Sequence, residues 1–305
     1  MHNGVVPSAQ PVICAFEDTE TSRHALRAAI WLADGMGAPM VLAHVFDPLG
    51  IPTRPSREML RLSITDEDLE GQARDAAHRL LATAAPAAPG VELTTELLEG
   101  QPVPELQRLA SERRAALLVT GTAAREGLDR FLIGSVASDL AAHAPCPLVA
   151  VPRGAALEEA GPVLAGYDGS EHSLRAARHA AALAALLGRE LVLLHVVERG
   201  RDEGVRPDAE LAKELHAAAV RGLGEGPDRP PLDLKVSLAV EDGDPVQMLA
   251  GVARERAAAL IFTGTRGRNA LSTALVGSVS AGLVRTAGRP VGLVPPSAAE
   301  LEREP

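Results

Sequence analysis

Short apolar runs alternate with longer amphipathic stretches along the chain, as they do where buried strands alternate with helices. In the second half, several such runs have the length of buried strands: 162–167 (PVLAGY), 190–197 (ELVLLHVV), 259–264 (ALIFTG) and 289–295 (RPVGLVP). A further segment, 232–240 (LDLKVSLAV), alternates apolar and polar residues, as a half-buried strand does. The pattern therefore predicts five strands in this half.

The segments between these runs predict helices. Residues 170–188 are rich in Ala and Leu and end at a glycine, and residues 208–224 form a second amphipathic stretch. A third helix is predicted over 244–257, because Asp244 followed by Pro245 is a typical helix start. Strands that alternate with helices predict an α/β fold in which a doubly wound parallel sheet is covered on both faces.

The second half of the chain repeats the first. Residues 40–47 (MVLAHVFD) align with 191–198 (LVLLHVVE), 151 positions later, and residues 117–138 align with 260–281, 143 positions later. The two offsets differ by eight, which predicts eight additional residues in the first copy, within the Pro- and Arg-containing stretch 47–58.

We therefore predict two tandem doubly wound five-stranded parallel-sheet domains, residues 11–152 and 162–295, joined by a short polar linker at 153–161. In a flavodoxin-like strand order of 3-2-1-4-5, ligands bind beyond the carboxyl ends of the strands, where the first and fourth strands meet. In the second half, DGSEHS (168–173) follows the first strand and TGTRGRNALSTALVGSVS (263–280) follows the fourth. Both polar segments are expected at one crevice.

The glycine spacing of the second segment predicts an anion site. Gly264 and Gly267 can adopt positive φ and carry no Cβ, so successive backbone N–H groups can converge on an anion. Gly277 allows a second close approach, and Ser278 is predicted to cap the helix that follows. Unpaired N–H groups at the positive end of that helix would complete a phosphate site.

Charged residues beside the glycines leave two alternatives open. Arg266 and Arg268 either add positive charge to the anion site or lie in solvent. Asp168, directly after the first strand, either accepts hydrogen bonds from ribose hydroxyls or caps the first helix of this half.

Composition and charge limit the ligands that this crevice is expected to hold. Aromatic residues make up 2% of the chain and the formal net charge is −10, which argues against nucleic acid because clustered positive charge holds phosphate backbones. No apolar stretch reaches the roughly 18 to 20 residues of a membrane span, and the start MHNGVVPSAQ lacks signal-peptide features. We therefore expect a cytoplasmic protein without a membrane partner.

In their order and spacing, AGYDGSEHSLRAA, LVLLHVV and GTRGRNALSTALVGSVS resemble the universal stress protein family, and the resemblance covers nearly the whole chain twice. It implies a tandem member with the adenine nucleotide alpha hydrolase-like fold that binds ATP, with or without Mg²⁺. The family's ATP-binding signature has a Gly, two residues, a Gly, nine residues, then a Gly and a Ser or Thr. This sequence matches it at Gly264, Gly267, Gly277 and Ser278.

By the same resemblance, Asp168 would hold the ribose, the backbone of Val196 would recognise adenine, and Ser280 would lie near the phosphates. The candidate nucleotide-binding residues of the second half are Asp168, Val196, Gly264, Arg266, Gly267, Arg268, Gly277, Ser278, Val279 and Ser280. The weaker candidates of the first half are Glu17, Val45, Gly121, Gly134 and Ser135.

The first copy departs from this signature. Glu17 stands where the second copy has Asp168, and Ala124 stands where it has Gly267. A Cβ at a left-handed position costs roughly 1–2 kcal/mol and crowds an approaching phosphate. We therefore predict nucleotide binding by the second half, and weak or absent binding by the first.

Three functions remain open at this point. The first is an ATP-binding stress-response sensor or regulator, the second a slow ATPase or phosphotransferase, and the third an interaction or dimerisation protein that binds no nucleotide. Catalysis is disfavoured because the chain has no Walker-type Gly-Lys-Ser/Thr sequence, and because His44 and His195, at matching strand positions, are better explained as packed residues. The resemblance also implies that the last strands of the two halves pair, giving a pseudo-twofold domain pair within one chain, and that the chain is a homo-oligomer.

Overall fold

The computed structural model describes residues 10–47, 66–85, 90–122, 134–198, 209–224, 233–266 and 276–296. Within these ranges the first half contains β1 (Val12–Ala15), α1 (Glu20–Met36), β2 (Met40–Phe46), α2 (Asp66–Ala84), β3 (Leu93–Glu99), α3 (Pro102–Glu112), β4 (Leu117–Gly121), α4 (Ser135–His143) and β5 (Leu148–Val151). The second half contains β6 (Val163–Gly166), α5 (Glu171–Leu186), β7 (Leu191–Val197), α6 (Ala209–Leu223), β8 (Val236–Asp242), α7 (Pro245–Glu255), β9 (Leu260–Gly264), α8 (Ser278–Thr286) and β10 (Val291–Val294).

Side-chain caps and left-handed glycines set the ends of several helices. Ser170 begins α5 by accepting a hydrogen bond from the N–H of Ser173. Asp244 begins α7 by accepting one from the N–H of Gln247, which confirms the helix start predicted at Asp244 and Pro245. Gly188, just after α5, has a φ of 63°, a conformation that terminates helices and that glycine adopts without a steric penalty.

The ten strands form one sheet in the order β3-β2-β1-β4-β5-β10-β9-β6-β7-β8. Each half has the predicted order 3-2-1-4-5, with its five strands parallel. Val12 and Cys14 belong to the core on one face of the sheet and Ile13 to the core on the other, as the two-residue period of a strand requires. Both cores draw residues from both halves. The α/β fold predicted from the alternation of strands and helices is confirmed.

The two halves are joined by antiparallel pairing of their last strands. In this pair Val149 lies opposite Gly292, which is its own counterpart 143 positions later in the repeat. A pseudo-twofold axis therefore passes between these two residues. This arrangement confirms the intrachain pairing of last strands that the family resemblance implied.

The linker between the halves is docked on the second half. The N–H of Ala156 donates to the carbonyl of Gly288 over 3.0 Å. The carboxylate of Glu158 lies 3.2 Å from the buried guanidinium of Arg289. Ala155 is itself buried. The polar linker predicted at 153–161 therefore holds a fixed path on the second half.

Two further expectations from the sequence concern the insertion in the first half and membrane-spanning helices. The insertion predicted within 47–58 falls almost wholly outside the described residues. No helix in the described ranges combines the length and the apolar character needed to cross a membrane.

We expect Gly292→Ala to destabilise the protein, because a Cβ at this position would lie 2.6 Å from the ring of Phe262. Crowding of this kind in a packed core costs about 1–3 kcal/mol. Gly251→Ala in α7 is the matched control, since a Cβ there has no neighbour within 4 Å, and alanine favours helix by roughly 0.5–1 kcal/mol. Thermal unfolding followed by circular dichroism should give a lower midpoint for the first variant and an equal or higher one for the second. Equal midpoints in the two variants would contradict this account of the junction.

Candidate functional site

The structure brings the two predicted polar segments of the second half together at the carboxyl ends of neighbouring strands. Ala165 in β6 pairs with Phe262 in β9, so Asp168 and Gly264 both lie just beyond this pairing. On the other side of β6 the ladder ends where Gly166 pairs with Leu194, and β7 continues beyond it to Val197. The first and fourth strands of this half therefore lie side by side, as predicted, and we refer to the region beyond their carboxyl ends as the crevice.

Asp168 lies in the turn between β6 and α5. Its Oδ1 accepts a hydrogen bond from the N–H of Ser170 over 3.0 Å, and its own N–H donates to the hydroxyl of Ser173 over 3.3 Å. The alternative that Asp168 caps the helix is wrong, because Ser170 occupies the cap position. A carboxylate has about four acceptor positions, so Asp168 can accept more hydrogen bonds than the one from Ser170.

Two histidines fix the turns that lead into the crevices. The Nδ1 of His195, a buried residue, lies 2.9 Å from the carbonyl oxygen of Tyr167, the residue before Asp168. In the first half the Nδ1 of His44 lies 2.7 Å from the carbonyl oxygen of Phe16. Because a carbonyl only accepts, Nδ1 carries the proton in both residues. The interpretation of both as packed strand histidines is confirmed, although the sequence did not show that they position the adjacent turns.

Gly264 serves close packing rather than an unusual backbone conformation. Of the glycines that the structure describes, eight have positive φ, and neither Gly264 nor Gly277 is among them. The expectation of positive φ at Gly264 is therefore wrong. A Cβ on Gly264 would lie 3.0 Å from the carbonyl oxygen of His172, so the end of β9 rests on the first turn of α5. In the first half a Cβ on Gly121 would lie 2.7 Å from the backbone of Thr21.

The loop after β9 is closed at its base. The N–H of Gly277 donates to the carbonyl of Thr265 over 2.7 Å, and the N–H of Thr265 donates to Val294 in β10 over 3.1 Å. The hydroxyl of the buried Ser280 donates to the carbonyl of Gly264 over 2.8 Å. Since a Cβ on Gly277 would lie 3.1 Å from the Thr265 oxygen, glycine permits this closure.

Helix α8 begins directly after the closed base of this loop. Gly277 is the cap residue, with φ −58° and ψ 154°, and it makes no side-chain hydrogen bond. The prediction that Ser278 caps the helix is wrong, because Ser278 is the first helical residue and its side chain is exposed. The N–H groups of Ser278, Val279 and Ser280 have no partner within the helix, and they lie at its positive end. This arrangement favours a bound anion.

Two of the predicted residues of the second half, Gly267 and Arg268, lie outside the described residues, as does Ala124 of the first half. Arg266 is described, and it is only 7% exposed. Burial decides against the alternative that Arg266 simply lies in solvent.

The sequence analysis overlooked Arg175. This residue follows His172 by one helical turn in α5, and its guanidinium nitrogens are buried. The pKa of Arg175 is lowered to about 10, chiefly by burial; Glu171 opposes this shift, and the positive charge of Arg266 adds to it. Two guanidinium groups therefore lie within electrostatic reach of each other at this crevice. The three-residue spacing from His172 was visible in the sequence, but the contact of His172 with Gly264 was not.

At the corresponding site, the first half has a similar backbone conformation but different side chains. The left-handed residue after the first strand is Asp18, with φ 57°, where the second half has Gly169 with φ 82°. Asp18 accepts hydrogen bonds from Arg23, and the neighbouring Glu17 is exposed, whereas Asp168 is half-buried.

The remaining candidate binding residues of the first half occupy the same positions in the fold as their counterparts in the second half. Gly134 caps α4, Ser135 is its exposed first residue, and Val45 is half-buried in β2 as Val196 is in β7. Ala137 stands where the second half has Ser280, so the buried hydroxyl bond to the preceding strand is missing. Among the hydrogen bonds of the described residues, none joins Gly134 to Thr122 in the way that Gly277 is joined to Thr265.

The described part of the chain contains no cluster of three or more His, Cys, Asp or Glu residues with metal-ligand geometry.

Comparison with known proteins identifies similar chains along the whole length. A model of the universal stress protein family matches residues 9–152 and again residues 160–295. A universal stress protein of Mycolicibacterium smegmatis is 29% identical over 289 residues, which are 93% of this chain and 97% of the relative. A universal stress protein of Mycobacterium tuberculosis is 33% identical over 212 residues, 66% of this chain and 68% of the relative. The crystal structure of a universal stress protein from Archaeoglobus fulgidus matches with a TM-score of 0.65 at 20% identity, over 94% of this chain and 98% of that one, and shows the same fold.

We expect Ser280→Ala to lower the free energy of unfolding by about 1–3 kcal/mol, because it leaves the carbonyl of Gly264 without its hydroxyl donor inside the protein. Ser278→Ala, two residues earlier in the same helix, removes an exposed hydroxyl that makes no cap bond and should change stability by less than about 0.5 kcal/mol. Urea unfolding of the two variants beside the unchanged protein measures the difference. If Ser278→Ala lowered the free energy of unfolding more than Ser280→Ala does, Ser278 would be the residue that caps α8.

Proposed function

The chain belongs to the universal stress protein family, and we propose that the crevice of its second half binds ATP and that occupancy of this crevice is the signal that the protein transmits in a stress response. The observation that carries the proposal is the closed loop base at Gly277. It presents the N-terminus of α8, which has no side-chain cap bond, at the strand end that packs on His172 of α5, and the half-buried carboxylate of Asp168 lies in the turn that leads into α5. One part of the crevice thus favours phosphates, and another favours the hydroxyls of a sugar.

Each part of a nucleotide has a place in this crevice. The carboxylate of Asp168, which also accepts a hydrogen bond from Ser170, holds the ribose hydroxyls. The backbone of Val196 recognises adenine, since β7 continues beyond the last residue that pairs with β6. The first-turn N–H groups of α8 bind the phosphates, and the buried charge of Arg266 adds to their attraction for an anion. Gly267 and Arg268 belong to the same proposal on their sequence positions alone.

The two halves, residues 11–152 and 162–295, are unequal in this proposal. The first half has one more carboxylate after β1 than the second half has after β6, because Asp18 stands in place of Gly169, and a nucleotide would bring its own negative charge there. Ala137 stands in place of Ser280, so the hydroxyl bond to the preceding strand is missing. The base of the loop also lacks a hydrogen bond equivalent to the one from Gly277 to Thr265. The first half therefore binds nucleotide weakly or not at all.

A binding function agrees better with these residues than a catalytic one. The two histidines next to the crevices use Nδ1 to hold backbone carbonyls, so their positions are explained without a chemical step. Bound nucleotide acts instead through its differential affinity for two arrangements of the protein. The arrangement in which Gly277 is bound to Thr265 and Ser280 to Gly264 is the one that ATP stabilises.

Calorimetric titration of the purified chain with ATP, after removal of any co-purified nucleotide, tests this function. We expect saturable binding with a stoichiometry near one. Asp168→Asn keeps an oxygen for the Ser170 N–H but removes the negative charge and puts an NH₂ group in place of one acceptor, so the affinity for ATP should fall at least about tenfold. Glu17→Gln, the matched change in the first half, should leave the affinity unchanged. Two equal sites would contradict the asymmetry, and no binding of any adenine nucleotide would leave the interaction-protein hypothesis in its place.

A further inference from the structure

We propose that His195 is a positioning residue for the carboxylate of Asp168, and that the way in which it holds the turn after β6 makes the crevice of the second half prefer ribonucleotides to 2′-deoxyribonucleotides. This inference rests on the proposed function and adds to it a residue, His195, and a ligand preference. His195 lies outside the glycine signature, and it acts on the backbone next to Asp168 rather than on a ligand.

The peptide that joins Tyr167 to Asp168 is held at both of its ends. The Nδ1 of the buried His195 donates to its carbonyl oxygen over 2.9 Å, and the hydroxyl of Ser173 accepts from its N–H over 3.3 Å. Ser173 is buried as well, and its hydroxyl donates to the carbonyl of Ser170 over 2.9 Å. The orientation of this peptide is therefore set by one side chain from β7 and one from α5.

His195 takes the place of a backbone donor in the ladder between β6 and β7. The N–H of Tyr167 donates to the carbonyl of Leu194 over 2.9 Å, and a regular parallel ladder would next join the N–H of Val196 to the carbonyl of Tyr167. Among the backbone hydrogen bonds of the described residues, none joins these two groups, and His195 binds the carbonyl instead. His195 thus ends the ladder just before the chain turns at Gly169, which has a φ of 82°.

This substitution of donors shows what loss of the histidine would do. A buried carbonyl without a partner is costly, so the Tyr167 oxygen would turn to the nearest backbone donor of the ladder, the N–H of Val196. Strand pairing would then extend by one step, and the turn that carries Asp168 would move with it. The same change would draw the Val196 N–H away from the base that the proposed function assigns to it.

Selectivity for ribose follows from the orientation of the Asp168 carboxylate. Its Oδ1 accepts from the N–H of Ser170 over 3.0 Å, so the turn on which it lies also sets its direction. The 2′- and 3′-hydroxyls of a ribose are neighbours, so a carboxylate held in one orientation can accept from both. A site built to bind a hydroxyl rejects the analogue that lacks it, provided that its groups are held within about 0.5 Å of the productive position.

The first half contains the same histidine contact, but its helix serine holds a different peptide. The Nδ1 of His44 lies 2.7 Å from the carbonyl oxygen of Phe16, as in the second half. The hydroxyl of Ser22 accepts from the N–H of Thr19 over 2.9 Å, whereas the equivalent serine of the second half accepts from Asp168. Substitutions of His44 and Ser22 therefore remove the same kinds of hydrogen bond outside the candidate ribose site.

Affinities for ATP and 2′-deoxy-ATP, measured by calorimetry on the full chain, test this inference. We expect the unchanged protein to bind ATP roughly 10- to 100-fold more tightly, as for one hydrogen bond to a charged acceptor. His195→Leu removes the donor, so it should weaken ATP binding and bring the two affinities within about threefold of each other. His195→Asn should keep the preference, because its side-chain nitrogen is separated from Cβ by Cγ alone, as Nδ1 is, and donates. His44→Leu is the matched control and should change neither affinity.

A second pair of variants tests the other end of the peptide, whatever the stability of His195→Leu. Ser173→Ala should reduce the preference for ATP, and Ser22→Ala should not. If His195→Leu and Ser173→Ala weaken both nucleotides by the same factor, or if the first-half variants reduce the preference equally, the inference is overturned. If the unchanged protein binds ATP and 2′-deoxy-ATP equally, the inference fails and the proposed function stands. If it binds no adenine nucleotide, the proposed function fails and takes the inference with it.

Discussion

Antiparallel pairing between β5 and β10 is the constraint on which the rest of the molecule depends. It buries the two apolar last strands, which would otherwise be exposed edges, and makes the core continuous on each face of a ten-stranded sheet. It also reverses the strand direction at the junction. Since the strands are parallel within each half, their carboxyl ends point to opposite edges of the sheet in the two halves. Each crevice must therefore be complete within its own half, and a defect in one cannot be repaired by residues of the other.

That independence explains how the repeat diverged without loss of the fold. Arg114 and Ala257 occupy the same left-handed position in the two halves, with φ values of 50° and 47°, so even a strained backbone feature is preserved across the repeat. The crevice is different, because its side chains lie beyond the paired residues of the strands. Asp18 replaces Gly169 there at the cost that a left-handed non-glycine residue carries, and it gains an ion pair with Arg23. The fold constrains the backbone of each half, while the chemistry at its edge is free to change.

The fold could be predicted from the sequence because its determinants are local and periodic. The apolar runs gave the strands, the offset repeat gave two copies, and Asp244 with Pro245 gave a helix start. The errors at the site have a common cause. A glycine in a sequence can mean positive φ or close packing, and only the contact with His172 distinguishes the two at Gly264. Likewise, whether Ser278 or Gly277 is the cap depends on which residue leaves the helical conformation, and the spacing of the signature does not encode that.

Under the proposed function, transmission of a signal from the crevice depends on what α8 contacts. Its N-terminus is held to β9 by the Ser280 bond, and its middle packs so closely on α7 that a Cβ at Gly282 would lie 2.6 Å from Val246. The same loop base is tied to β10 through Thr265 and Val294, and β10 is the strand that joins the two halves. A ligand that orders the α8 N-terminus therefore acts on an element one strand away from the junction. Because close-packed contacts of this kind have discrete arrangements, occupancy can favour one relation between the halves over another, provided that the ligand binds the two with different affinity.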